Sequence, residues 1–206
     1  MIILFDIGNT RTKYCVVNNG NKMWSKSVLN KSLSSVFLSQ NFSNATRLIV
    51  ASVSSEELTD KINEWCQHNE VCYQRVASQK KKNNVVSGYA TPTQLGVDRW
   101  LALVAVGSLY PNKNILVVDA GTATTIDFLA SSGQHQGGWI LSGITTLVSS
   151  VMADTTQVKV NNNQKQSISF GSNTSDNVYN AAWAATVGSI NLAISQIQKQ
   201  GRQVDE

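Results

Sequence analysis

Leu4-Phe5-Asp6-Ile7-Gly8-Asn9-Thr10 and Val117-Val118-Asp119-Ala120-Gly121-Thr122-Ala123 follow one pattern in the two halves of the chain. Two apolar residues lead into an aspartate, a glycine follows two positions later, and a short polar or hydroxyl side chain comes soon after. Around the first copy, the apolar run Ile2 to Asp6 stops at Gly8-Asn9-Thr10, and a second run ends in Tyr14-Cys15-Val16-Val17. Two β-prone runs around a Gly-Asn turn predict a hairpin. Around the second copy, Ile115 to Asp119 and Thr124 to Leu129 predict another. A strand-turn-strand unit that recurs at the head of two β-rich halves points to duplicated α/β lobes facing a cleft.

Further elements follow from periodicity. Asn18-Asn19-Gly20 predicts a turn and Lys22 to Val28 a third strand. Leu33, Val36 and Phe37 have helical spacing, Leu48 to Val53 reads as a strand, Glu56 to Gln67 as an amphipathic helix and Val71 to Val76 as a strand. The polar stretch Ser78 to Asn84 is the expected linker, dividing a first lobe over residues 1–84 from a second over 85–206. Later, Trp100 to Val106 predicts a helix, and Trp183, Ala184, Ala185, Val187 and Ile190 the core side of another. Asp127 is expected to face outward from its strand and His135 to lie on the surface in a polar turn. Trp65 and Trp100 are expected in the core or an interface.

Composition narrows the class. A chain of 206 residues with 42% hydrophobic residues has material for one large domain or two small ones. Disorder is excluded by that apolar content, collagen by 13 Gly and 2 Pro, and a disulfide scaffold by 3 Cys. Only 15% of residues are charged, so a carboxylate in an apolar stretch stands out. The net charge is +4, and its one dense run, Lys80-Lys81-Lys82, reads as a solvated loop without interleaved aromatics. Nucleic acid is therefore not an expected partner. Cys15, Cys66 and Cys72 have no metal-ligand or CxxC spacing, His68 is expected at a surface helix end, and unpaired thiols fit a reducing cytosol. No apolar stretch approaches the ~20 residues a bilayer requires. The start, Met1 to Asp6, lacks the basic region of a secretory signal, so a cytoplasmic protein without membrane partners is expected.

The two turns suggest a ligand. An aspartate ending an apolar strand is expected to be buried, at a cost of several kcal/mol unless paired or metal-bound. The glycine is expected to allow a positive φ and to bring bare N–H groups close to a ligand. Asn9, Thr10 and Thr122 add short donors, and Arg11 and Lys13 add cations. Such turns suit a polyphosphate. Neither a GxxxxGK[ST] loop nor a GxGxxG turn occurs, so a phosphotransferase here is of neither the P-loop nor the protein-kinase type.

Four segments carry a family resemblance: Asp6 to Lys13; Tyr89-Ala90-Thr91-Pro92-Thr93-Gln94-Leu95-Gly96-Val97-Asp98-Arg99; Asp119 to Thr125; and Gly137-Gly138-Trp139-Ile140-Leu141-Ser142-Gly143. Asn173-Thr174 ahead of Asn180-Ala181-Ala182 and Gly188 is a weaker fifth. With them the chain resembles the type III pantothenate kinases, of the acetate and sugar kinase, heat-shock chaperone and actin superfamily. The resemblance implies two duplicated actin-like (ribonuclease H-like) lobes, each a mixed β-sheet with flanking helices, around a central nucleotide cleft. It implies ATP-dependent phosphorylation of pantothenate to 4'-phosphopantothenate, the first step of coenzyme A biosynthesis, with Mg2+ and a monovalent cation, K+ or NH4+. Carried over, Asp6, Ile7, Gly8, Asn9, Thr10, Arg11, Thr12, Lys13 and Thr122 bind ATP. Tyr89, Gly96, Val97, Asp98, Arg99 and Thr174 bind pantothenate, Asp98 accepts its proton, and Asp119 holds the monovalent cation. A homodimer is implied, with the pantothenate site near the subunit interface and Thr174 supplied by the neighbouring subunit.

The chemistry of the acceptor segment agrees with this. An Asp-Arg pair at a helix start offers a base for a hydroxyl and a cation for an anionic group. A helix-initial acid with an incidental basic neighbour is the bland alternative. Two departures accompany the matches. Ser142 stands where the family commonly has Pro, and the family has a further strand and Gly-containing turn beyond the residues matched by Lys199-Gln200-Gly201. The other readings are a kinase of another small alcohol and a non-enzymatic, nucleotide-binding regulatory accessory protein of the same fold.

Overall fold

β1 (Ile2–Ile7), β2 (Arg11–Asn18) and β3 (Asn21–Leu29) form an antiparallel meander. Asn19 and Gly20, between β2 and β3, take φ of 47° and 78°, the left-handed angles that a two-residue hairpin turn requires. A computed structural model describes residues 1–154 and 166–206. The chain continues through α1 (Ser35–Phe42) to β4 (Arg47–Ser52), then through α2 (Glu56–His68) to β5 (Cys72–Arg75). β4 runs parallel to β1 and β5 parallel to β4, giving a mixed sheet in the order β3-β2-β1-β4-β5. Parallel neighbours need a crossover, which α1 and α2 supply.

Strand alternation sends Ile3, Phe5 and Ile7 of β1 and Tyr14 and Val16 of β2 to one face, buried with Leu38 and Phe42 of α1 and Ile62, Trp65 and Cys66 of α2. Phe5, Tyr14, Phe37 and Phe42 meet tilted or edge to face, with ring centroids 5.3 to 6.1 Å apart. The first helix starts later than its spacing suggests. Ser34 Oγ accepts from Phe37 N at 3.2 Å and caps the helix, so Leu33 precedes it and Leu38 and Phe42 form its buried stripe. His68 ends α2 on the surface, as expected.

Compactness divides the chain into Met1–Gln79 with Thr91–Leu101, and Lys80–Ala90 with Ala102–Glu206. The expected boundary after residue 84 therefore falls within the second unit. There β6 (Lys81–Lys82) pairs antiparallel with β7 (Val85–Val86), so the expected solvated loop is a small hairpin whose lysines are exposed. Ser78, at the head of the expected linker, is buried and its Oγ donates to Leu95 O at 2.6 Å.

The second unit takes most of α3 (Val97–Leu109), then β8 (Ile115–Ala120), β9 (Ala123–Leu129), β10 (His135–Ser142), α4 (Ile144–Ala153) and α5 (Thr174–Lys199). Its sheet, ordered β10-β9-β8, is antiparallel throughout among the described residues, whereas a mixed sheet was expected in each half. Short hairpins join these strands, and hairpins make antiparallel pairs. Beside the start of β8, Leu116 N donates to Glu206 O at 3.0 Å and Glu206 N lies 3.4 Å from Asn114 O, the bonding pattern of parallel strands. The buried stripe of α5 is Ala182, Thr186, Ala193 and Ile197, while Ala184 and Ala185 are exposed, so the expected core side is rotated.

Two surface expectations are reversed. Asp127 and His135 are both about 1% exposed and bonded to each other. β9 carries an unbroken buried run from Ile126 to Leu129, so its period-2 alternation fails where Asp127 lies. Trp65 and Trp100 are buried as expected. No described helix is long and apolar enough to cross a membrane.

Phe42→Ala removes the ring at the centre of the aromatic cluster and should cost about 3–5 kcal/mol, read from the urea midpoint. Burial pushes the Cys66 thiol up to about 11, while Cys72 is exposed. At about pH 8, iodoacetamide should therefore label Cys72 first and Cys66 only on unfolding, which peptide mass mapping checks.

Candidate active site

The pleat decides the first turn. With Ile3, Phe5 and Ile7 in the core, Asp6 faces the other side of the sheet, directly across the ladder from Lys13. Asp6, Asn9, Thr10, Arg11 and Lys13 are exposed, and Ile7 and Thr12 are buried beneath them. The turn closes through Gly8 N donating to Arg11 O at 3.0 Å. Asn30, just past β3, fastens it. Its Nδ2 donates to Gly8 O at 2.7 Å, its Oδ1 accepts from Thr12 Oγ1 at 2.9 Å, and its N donates to Thr10 O at 3.0 Å. Arg11 is drawn aside by a 3.0 Å bond to Ser27 Oγ.

The second turn is built likewise and fastened differently. Asp119 pairs in register with Thr125 and is exposed, as are Gly121 and Thr122. Thr122 O accepts from Gly143 N at 3.0 Å and from Thr146 Oγ1 at 2.8 Å, so the first turn of α4 sits on the loop. A Cβ on Gly143 would lie 2.0 Å from Gly121 O and 2.8 Å from Thr122 O, so only glycine permits this approach. Gly143, the last residue of the fourth motif, thus holds the third. The Thr122 carbonyl thus faces the positive end of the α4 dipole.

Both aspartates are exposed rather than buried, so the expected desolvation cost does not arise. Neither Gly8 nor Gly121 has the expected left-handed φ. A Cβ would meet Arg11 O at 3.3 Å on Gly8 and Ala123 O at 3.7 Å on Gly121. The backbone barely requires glycine at either place. Each glycine N–H closes its own turn, Gly8 N on Arg11 O at 3.0 Å and Gly121 N on Ala123 O at 2.9 Å.

The acceptor segment bends through a short 3-10 turn, Pro92–Gln94, into α3. Asp98, half-buried, lies in the first turn, where a negative charge suits the helix dipole. Its Oδ1 accepts from Arg99 N at 2.7 Å, which fixes the carboxylate, and Arg99 is buried beside it. A Cβ on Gly96 would lie 2.6 Å from Asp98 Oδ1, so the glycine makes room for that carboxylate. Val97 is buried. In the second unit, Tyr89 lies against the His135 ring, with centroids 6.1 Å apart and 13° between planes. Thr174 opens α5 after the Asn173 cap, at a largely apolar groove of about 420 Å³ lined by Leu147, Val151, Val178 and Ala181.

A model of the type III pantothenate kinase family matches residues 2–196. The chain belongs to the type III pantothenate kinase family. The type III pantothenate kinase of Colwellia psychrerythraea is 48% identical over 201 residues, covering 98% of this chain and 81% of that one. That of Pseudoalteromonas translucida is 36% identical over 205 residues, covering 99% and 83%. Among solved structures, a Baf family protein from Campylobacter jejuni aligns with a TM-score of 0.59 at 22% identity, over 92% of this chain and 77% of that one, a likeness of fold.

Of the residues that pantothenate kinase motifs single out, the structure gathers Asp6 to Lys13 on one turn and Gly96 to Arg99 on one helix start within the first unit. In the second, Asp119 and Thr122 share a turn held by Gly143. Asn30 went unread because nothing local marks an asparagine whose partners lie 18 and 22 residues away. Gly143→Ala should destabilise the protein by about 1–3 kcal/mol through overpacking, while Gly121→Ala should cost about 0.5 kcal/mol or less, compared by urea denaturation. Asn30→Ala leaves the Gly8 carbonyl and Thr12 hydroxyl unpaired and should cost about 1–3 kcal/mol in the same measurement.

Proposed function

We propose that the protein transfers the γ-phosphoryl group of ATP to the primary hydroxyl of pantothenate, giving 4'-phosphopantothenate and ADP at the start of coenzyme A biosynthesis. The supporting observation is the Gly96-Val97-Asp98-Arg99 helix start, with its fixed carboxylate, in a chain that matches the family model over residues 2–196. The pantothenate oxygen forms the new bond to the γ-phosphorus, the bond to the β–γ bridging oxygen breaks, and Asp98 accepts the hydroxyl proton. An alcohol's proton is lost late in a loose transition state, so Asp98 acts mainly by orienting the oxygen. Arg99 balances the pantothenate carboxylate, and Gly96, Val97, Tyr89 and Thr174 complete its contacts.

Residues Asp6 to Lys13 and Thr122 bind the ATP phosphates, through uncovered N–H groups, short hydroxyls and the Lys13 and Arg11 charges. Oxygen donors suit hard cations. The exposed Asp119 carboxylate fits K+ or NH4+, which would neutralise phosphate charge there. Among the described residues no group of three His, Cys, Asp or Glu gathers, and Mg2+ accompanying ATP needs only one or two carboxylates beside the phosphates.

The reading includes two duplicated actin-like lobes. Two meanders of the same strand order support it, as does Glu206, which runs beside β8 as β4 runs beside β1. It also includes a cytoplasmic homodimer in which Thr174 serves the neighbouring subunit's pantothenate.

An ADP-release assay with pantothenate, ATP, Mg2+ and K+ tests this. Asp98→Asn should lower kcat by about 10²-fold or more, and undiminished turnover would remove Asp98 as the base. Saturable ATP binding without turnover would favour the accessory protein, and turnover of a different alcohol the related kinase. Equal rates in Na+ and K+ would remove the cation role of Asp119.

A further inference from the structure

Asp127 and His135 form a buried, ion-pair-capable couple that the phosphoryl-transfer scheme does not use. His135 Nε2 lies 2.9 Å from Asp127 Oδ1, with the two side chains 0% and 2% exposed. Nδ1 accepts from Gly88 N at 3.4 Å, so the ring's proton sits on Nε2 and is donated to Asp127. A Cβ on Gly88 would lie 2.2 Å from His135 O, so glycine is required for this approach. The next residue is Tyr89, whose ring lies nearly parallel to the imidazole at 6.1 Å.

The surroundings fix the same segment. Val86 N donates to Gly133 O at 2.9 Å, and Gln134 Nε2 donates to Val86 O at 3.4 Å. His135 stands at the register shift of β10, where Gly137 takes φ of 105°. A bulge re-aims side chains, and bulges concentrate beside functional sites. Stability alone does not call for this couple, because burying a polar or ionic pair rarely improves on apolar packing. What the pair does supply is orientation: Asp127 sets the tautomer and angle of a ring that Gly88 and Tyr89 rest on.

The geometry points to His135, held by Asp127, as a positioning residue that sets Tyr89 for pantothenate. The inference rests on the pantothenate contact of Tyr89 given under Proposed function.

Calorimetric pantothenate binding and steady-state kinetics of wild type, His135→Phe, Tyr89→Ala and the double variant test it. His135→Phe keeps a ring and loses both hydrogen bonds. It should raise the pantothenate Kd and KM about tenfold while kcat and the ATP KM stay within about twofold. In the Tyr89→Ala background the same change should have little further effect, because the two act as one unit. Additive effects, or unchanged pantothenate Kd and KM in His135→Phe, overturn the inference and leave the reading of function standing. A wild-type protein that binds no pantothenate overturns both.

A measurement without His135 substitution covers the case in which that variant does not fold. The chain has two histidines, so His68→Gln leaves a single imidazole signal in the NMR spectrum. Saturating pantothenate should shift that signal, and the shift should vanish when Tyr89→Ala is added. An unmoved signal at saturation overturns the inference.

Discussion

The pleat of a β-strand is the constraint on which the rest of this protein depends. Side chains alternate, so a strand that buries Ile3, Phe5 and Ile7 must turn Asp6 to its other face. The same alternation in β2 buries Thr12, Tyr14 and Val16 and leaves Lys13 opposite Asp6. Core and chemistry therefore share one register. A slip of one residue would bring the carboxylate into a cluster of aromatic rings and put Phe5 in water. The turn that carries Asp6 is secured by the packing of Phe5, Tyr14 and Phe42 behind it.

Each functional segment is fastened by a residue from another element. Asn30 binds the first turn from the end of β3, and the start of α4 sits on the second. Gly96 clears space for Asp98, and His135 holds the backbone at Gly88. These fastenings have a common logic. The carbonyls of Gly8 and Thr122, which their own turns leave open, each accept from a neighbour instead. Glycine occurs where a neighbour comes too near for a Cβ, as at Gly143 and Gly88.

Much of this was legible beforehand. Both hairpins, the strand at Leu48 and the α2 helix follow from local periodicity, which reflects burial on one face. The family was legible in Gly96-Val97-Asp98-Arg99 and the segments around it. The misreadings share a cause. Asp127 is expected outward and His135 in a surface turn because a polar residue is usually solvated, and both are buried and bonded to each other. Such mutual satisfaction has no signature in either residue's neighbours. α1 starts two positions after Leu33 because the Ser34 cap, rather than the apolar spacing, sets its first turn.

The sequence by itself determined the two Asp-x-Gly turns, the strands around them, the acceptor helix start and the family, because each is written in contiguous residues with local energetics. Only the tertiary structure decided that Asp6 and Asp119 are exposed, that Gly143 rather than Gly121 is sterically required, and that Asn30, Asp127 and His135 belong to the supporting framework. Those properties arise from atoms brought together by folding across 8 to 47 residues of chain, as for Asp127 with His135 and Gly88 with His135. Hydrogen bonds and excluded volume act over a few ångströms of space, whatever the distance in sequence.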